Sequence, residues 1–313
     1  MTRFFTFIGV TTRQSSIMRI FPRWRDLLGL GQDVEMVGWD LPINASPEQY
    51  RRAVAELKAD PNNLGALVTT HKINLYQAAC DLFDEVDEYA RLLTEISCLA
   101  KRDGKLLGWA KDPITAGQAL DDILGVGYFA RTQGHVLIFG AGGAGVAIAL
   151  HLLTRPDRAD RPVQLIILER RATNLARLRA LQQHVAPTAS VTYVQNGNPR
   201  VGDAHLSALP PGSVIINATG MGKDLPGSPV TDAAQFPERS VVWELNYRGS
   251  LDFLHQAQAQ SDGRLVRVVD GWRYFIYGWS AVIEEVFNRP ITVDELALLE
   301  REAAFARPSP SLR

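Results

Sequence analysis

At 313 residues, with 46% hydrophobic and 21% charged positions, the chain has the composition of a globular protein long enough for two cores. Its 33 basic and 34 acidic side chains leave a net charge of −1, so no field draws it to nucleic acid or to an anionic membrane. No run approaches the ~20 apolar residues of a membrane helix. The start, MTRFFTFIGVTTR, is too short and interrupted for a signal peptide, and Cys80 and Cys98 lack metal-ligand spacing, so a cytoplasmic protein with reduced cysteines is expected.

Residues 3–10 read as a strand and 17–30 as a helix with Ile20, Phe21, Trp24, Leu27 and Leu28 on one face. A strand over 33–39 precedes Ser46-Pro47-Glu48, an N-cap with Pro at the first helical position, which opens a helix to about residue 59. Strand 64–70 leads into a helical stretch, 73–93, broken near Cys80. Residues 99–102 and 105–109 form a hairpin about Asp103-Gly104. A helix over 113–124 follows. His135–Phe139 (HVLIF) is a short apolar run, as expected of a central parallel strand buried on both faces. Strand 163–168, helix 172–184 and strands at 190–195, 213–217 and 240–244 continue the alternation, and helices at 271–288 and 292–304 close it. The tail RPSPSLR is expected to be disordered. The pattern is that of an α/β protein. An N-terminal α/β domain over 1–114, completed by 272–313, joins a doubly wound parallel-sheet domain over 115–271.

One motif in the second domain carries chemistry. Gly140-Ala141-Gly142-Gly143-Ala144-Gly145 fits G-x-G-x-x-G between a strand and the apolar helix 146–153, the context of a Rossmann-like dinucleotide site. Gly140 makes the tight turn, Gly142 lets backbone approach the pyrophosphate, and Gly145 packs helix on strand. The helix N-terminus offers free N–H donors and a positive dipole end. Strand 163–168 ends at Glu169-Arg170-Arg171, where the adenosine ribose should lie. Glu169 argues for NAD, by accepting from the ribose hydroxyls, whereas Arg170 and Arg171 argue for a 2′-phosphate; the expectation is NAD, with NADP as the alternative. Asn217-Ala218-Thr219-Gly220-Met221 ends a further strand and offers small residues and amides to the nicotinamide half.

Hydride exchange with a carbinol needs a group that moves the hydroxyl proton, and a lysine beside a carboxylate serves. Lys72 follows one strand and Asp112 ends another extended segment, although a lysine and an aspartate so placed are as readily surface charges. The histidines are scattered, without metal spacing; His71 beside Lys72 is a candidate cleft residue.

Over nearly its whole length the chain resembles the shikimate/quinate dehydrogenase family. Gly9 with Ser15-Ser16 is similar to an early glycine and a Ser-x-Ser carboxylate clamp. Thr69-Thr70-His71-Lys72 resembles Val-Thr-x-Pro-x-Lys, and Asp103–Gly108 with Asp112 resembles Asp-Gly-x-Leu-x-Gly-x-Asn-Thr-Asp. Gly140–Gly145, Asn217-Ala218-Thr219, Val241–Tyr247 and Asp270-Gly271 also match. The resemblance implies a catalytic Lys72–Asp112 pair facing an interdomain cleft, substrate contacts from Ser15, Ser16, Thr69 and Tyr247, and a cofactor contact at Gly271. It implies an oxidoreductase acting on a small-molecule substrate, without a metal, as a monomer or homodimer.

The departures fall on the substrate side. Ile17 replaces the second clamp serine; Ala66, Val68, Ile96-Ser97 and Ala110-Lys111 stand where the family carries Asn and Thr; Gly278 replaces a glutamine. The changes remove donors and acceptors that would read a polyhydroxylated ring. Trp109, Tyr277 and Trp279 are available to pack a more apolar body, or are core aromatics. A carboxylated cyclic substrate other than shikimate is therefore expected, with three alternatives: a shikimate or quinate dehydrogenase proper, a folate-type methylene dehydrogenase, or a non-catalytic cofactor-binding sensor.

Overall fold

The computed structural model describes residues 1–223 and 225–308. Residues 309–313, most of the tail expected to be disordered, lie outside the described residues. The chain divides into two units, Met1–Thr115 with Ile276–Arg307, and Ala116–Phe275. The divisions fall inside the helices Asp112–Leu124 and Trp272–Phe287, close to the expected 114/115 and 271/272.

The first unit is built on a six-stranded mixed sheet of β1 (Arg3–Gly9), β2 (Val34–Asp40), β3 (Asn63–Val68), β4 (Glu85–Val86), β5 (Cys98–Arg102) and β6 (Lys105–Trp109), ordered β2-β1-β3-β5-β6-β4. β1 pairs in parallel with both β2 and β3, and accordingly reads as a mostly apolar run whose last five residues are buried. β5 runs antiparallel to β3 and to β6. Asp103 and Gly104 both take positive φ, 50° and 75°, as a two-residue hairpin of this twist requires. Ser46 closes a full capping box with Gln49 on the helix Pro47–Ala59. The two-residue β4 was not legible in the sequence; it interrupts the stretch expected to be helical to residue 93.

The second unit carries six parallel strands: β7 (Val136–Phe139), β8 (Leu165–Glu169), β9 (Val191–Gln195), β10 (Val214–Asn217), β11 (Val241–Glu244) and β12 (Arg267–Val269). Their order, β12-β11-β10-β7-β8-β9, is doubly wound, and the winding reverses between β7 and β10. In such sheets that crevice, outside the carboxyl ends of the strands, is where ligands bind. The short helices Tyr128–Thr132, Pro199–Ser207 and Asp252–Gln258 and strand β12 escaped the sequence reading. They are brief or polar and lack a clear period; Pro199–Ser207 even contains Gly202, where a Cβ would press on the Pro229 carbonyl oxygen. No helix among the described residues is long and apolar enough to cross a membrane.

Candidate active site and dinucleotide pocket

In the first unit, β3 and β6 are both antiparallel to β5, so they leave the sheet at the same edge. Lys72 opens the helix after β3 and Asp112 opens the helix after β6. Their side chains meet: Lys72 Nζ donates to Asp112 Oδ2, with Asp112 only 6% exposed. Two residues that the sequence offered only as departures from the resembled pattern hold this edge together. Ser97 immediately precedes the return strand β5; its amide donates to the Trp109 carbonyl, and its Oγ accepts the Lys111 amide at 2.7 Å. Lys111, immediately before Asp112, pairs with Glu285, which also accepts from Arg102 at 3.2 Å. Neither residue had a signal in the sequence, since each partner lies on another element.

The turn into Lys72 is strained. Val68 to Lys72 is five residues where the resembled pattern has six, and the proline is gone. The connection closes with Thr70 at φ 30° and the His71 amide turned back on the Thr69 carbonyl. A β-branched residue rarely enters this region, at a cost of order 1–3 kcal/mol. His71 does not line a cleft. It is 1% exposed; the Tyr50 hydroxyl donates to Nδ1 at 2.9 Å and Nε2–H donates to the Leu41 carbonyl at 3.1 Å. Both contacts suit the neutral ring, and burial lowers its pKa. His71 is a clip that holds the start of the Lys72 helix.

The expected carboxylate clamp is only partly present. Ser16 is buried and its Oγ donates to the Ala306 carbonyl at 2.8 Å, so that hydroxyl serves the protein itself. Ile17 is fully buried core. Ser15 lies in the turn after β1, and Thr69 lies against Gly9, where a Cβ would meet Thr69 Oγ1 at 3.0 Å. Ala66, Val68, Ile96 and Ala110 are fully buried in one apolar cluster with Ile8, Leu75 and Leu99; they are core and do not widen a pocket. Trp279 is likewise core, packed edge-on against Phe5 and Phe7. Trp109 lies beneath the Arg102 and Lys111 cations. At Gly278 a Cβ would meet nothing within 4 Å, so there the loss of a glutamine does leave open space.

In the second unit the three motif glycines have three different reasons. Gly140 sits at φ 97° with Ala218 O only 2.9 Å from where a Cβ would be. Gly145 is buried, and a Cβ there would collide with the Gly140 carbonyl oxygen. Gly142 faces open space. Gly142 is also the N-cap of the helix Gly143–Thr154, and no side chain caps that terminus, so the first-turn amides of Gly143 and Ala144 remain available to an anion. A cavity of about 310 Å³ opens beside the turn, lined by Gly140, Gly142, Arg170, Arg171, Thr219 and Met221 among others. These features fit a dinucleotide pyrophosphate.

Several expected cofactor contacts do something else. Glu169 borders the cavity, but its carboxylate already accepts from Ala141 N (2.8 Å), Arg171 N (2.9 Å) and Asn174 Nδ2 (3.2 Å) and is 9% exposed. It latches the Gly-rich turn to the end of β8, which uses the Ala141 amide as well. Arg170 and Arg171 are exposed. Asn217 is fully buried; its Oδ1 accepts from Thr219 N and Oγ1, so it shapes the wall that Thr219 and Met221 form. Gly271 is buried where a Cβ would collide with the Leu245 carbonyl oxygen, a packing role. Tyr247 packs against Trp272 and Phe275 at 5.5 and 4.7 Å between ring centroids.

No family model matches the chain. Among curated proteins it is 26% identical over 274 residues to the shikimate dehydrogenase (NADP(+)) of Symbiobacterium thermophilum, covering 84% of this chain and 82% of that one. Among solved structures, the shikimate 5-dehydrogenase of Thermus thermophilus, in complex with NADP(H) and shikimate, superposes with a TM-score of 0.70 at 21% identity over 97% of this chain and all (100%) of the other. The quinate dehydrogenase of Corynebacterium glutamicum, in complex with NAD, gives 0.67 at 18% identity over 97% and 99%. The chain thus has the fold of these dehydrogenases over nearly its whole length and is similar to them in sequence, and it brings the lysine and aspartate of the resembled motifs into contact.

Proposed function

We propose that the chain is an NADP(H)-dependent dehydrogenase that interconverts a hydroxyl and a ketone on a small cyclic substrate. The observation that carries this reading is the hydrogen bond from Lys72 to Asp112 at the edge of the first sheet where β3 and β6 end. Bound in the second unit's pocket, the nicotinamide cofactor supplies or takes the hydride. Lys72 gives its proton to the carbonyl oxygen during reduction and recovers one from the hydroxyl in the reverse direction, and Asp112 holds the ammonium in line.

NADP is preferred to the NAD expected from Glu169. That carboxylate is committed to three donors of the protein, whereas the exposed guanidinium groups of Arg170 and Arg171 border the cavity and can pair with a 2′-phosphate. The Symbiobacterium relative is likewise named for NADP(+).

The substrate is read as a carboxylated ring other than shikimate itself. With Ser16 bonded to Ala306 and Ile17 in the core, Ser15 and Thr69 remain for the carboxylate or a hydroxyl, too few to satisfy a polyhydroxylated ring. The test is a nicotinamide-absorbance screen with both cofactors over shikimate, quinate, their ketones and less hydroxylated cyclic hydroxy acids. Turnover that is lost in Lys72→Ala supports the reading. Turnover unchanged by that substitution, or none with any member, removes it.

A further inference from the structure

The last residue of β11, Glu244, is an acid in an otherwise apolar run, VVWE, and is fully buried. Burying a carboxylate costs several kcal/mol unless donors surround it. Three do. The Asn246 amide and Asn246 Nδ2 donate to Oε1 at 2.7 and 2.6 Å, and Asn217 Nδ2 donates to Oε2 at 2.6 Å. Each asparagine then reaches the cofactor wall. Asn217 Oδ1 accepts from Thr219 N (3.1 Å) and Thr219 Oγ1 (2.6 Å), and Thr219 Oγ1 accepts from Met221 N (3.2 Å). Asn246 Nδ2 also donates to the carbonyls of Thr219 and Met221 at 3.3 and 3.1 Å.

We propose that Glu244 is a positioning residue for the dinucleotide: when ionised it is an acceptor-only hub that sets the amide orientation of Asn217 and Asn246 and through them fixes the Thr219–Met221 wall. The inference rests on the reading of that cavity as a dinucleotide pocket. The chemistry explains why an acid is needed. Glutamine has the same shape but one oxygen, so its NH2 would face either Asn217 or Asn246. If Asn217 turns its amide over in response, its own NH2 then faces the Thr219 amide, and a change of one atom arrives at the pocket wall. The effect is on donor and acceptor matching, with little change in volume.

The experiment is fluorescence titration of the full chain with NADPH at pH 9, where the Glu244 carboxylate is ionised, with denaturant unfolding run alongside. Glu244→Gln is expected to weaken NADPH by about tenfold or more, the usual consequence of a mismatched buried hydrogen bond. The double variant Glu244→Gln with Asn217→Asp moves the carboxylate to position 217 and restores every donor–acceptor pair. It is expected to bind NADPH within about threefold of the natural chain, a rescue that a purely space-filling role for Glu244 does not produce. The proposal is overturned if Glu244→Gln binds as tightly as the natural chain, or if the double variant is as weak as the single. Should the single variant fail to fold, the double variant decides: a folded, binding double supports the hub and an unfolded one overturns it. Failure of the natural chain itself to bind NADPH would instead remove the dinucleotide reading, and the proposal with it.

Discussion

Lys72 donates a hydrogen bond to Asp112 across 40 positions of sequence. The contact exists because β3 and β6 are the two neighbours of the return strand β5 and so run in the same direction. Proton transfer by a positioned side chain contributes roughly 100- to 10,000-fold to a rate. Lys72→Ala should therefore lower kcat by about 100-fold or more, and Asp112→Asn by less, since the asparagine can still accept from the amine. Neither should change NADPH affinity, because the cavity's lining residues all belong to the other unit. Loss of NADPH binding in Lys72→Ala would contradict this.

The motif glycines should separate by their surroundings. Gly145→Ala puts a methyl against the Gly140 carbonyl oxygen and is expected to destabilise the protein by about 1–3 kcal/mol, read as a lower denaturant midpoint. Gly142→Ala meets no atom within 4 Å and should leave that midpoint in place. Its methyl stands at the cavity wall before the helix amides, so NADPH should bind about tenfold more weakly. Equal midpoints for the two variants would refute the assignment.

Arg170 and Arg171 carry the cofactor choice in this reading. Replacing both with serine should cost NADPH about 10- to 100-fold in affinity, as expected for one or two charge-assisted hydrogen bonds. NADH, lacking the 2′-phosphate, should change by no more than about twofold. Raising the salt concentration should weaken NADPH more than NADH for the same reason. A uniform loss for both cofactors would return Glu169 to the role of ribose reader.

Stability should depend on pH through Glu244. Burial raises its pKa to about 8, with Asp270 adding to the rise and the donors of Asn217 and Asn246 opposing it. Because the folded pKa lies above the unfolded one, the contribution is fully present below about pH 4.5, the ordinary glutamate value, and is lost as pH rises through about 8. Relative to Glu244→Gln, which cannot ionise, the natural chain should lose up to a few kcal/mol between pH 5 and pH 8, read as the difference in unfolding free energy. A difference that stays constant across that range would show that Glu244 keeps an ordinary pKa.

Much of the scaffold was legible because its signals are local. The apolar run of β7, the N-cap at Ser46 and the Asp103-Gly104 turn act over a few residues and read directly. The glycine spacing after β7 did so too, since each glycine answers a constraint within one turn or one helix contact. Short elements such as β4 and β12 were invisible for the opposite reason: two or three residues carry no period, and neighbouring strands alone make them strands.

The roles of polar residues divide along the same line. That Lys72 and Asp112 stand at strand ends, and that a dinucleotide motif precedes an apolar helix, followed from sequence order. Which acceptor each polar group finds did not. Glu169 had the right place and type for a ribose reader, yet it latches the turn; Ser16 had the place of a clamp, yet it bonds to a carbonyl 290 residues away. His71 clips a helix, and Glu244, which had no role of its own in the sequence reading, turned out to be the centre of a hydrogen-bond network. A side chain's identity states what it can donate or accept. Its partner is chosen by whichever group the fold brings within about 3 Å, and that choice belongs to tertiary packing alone.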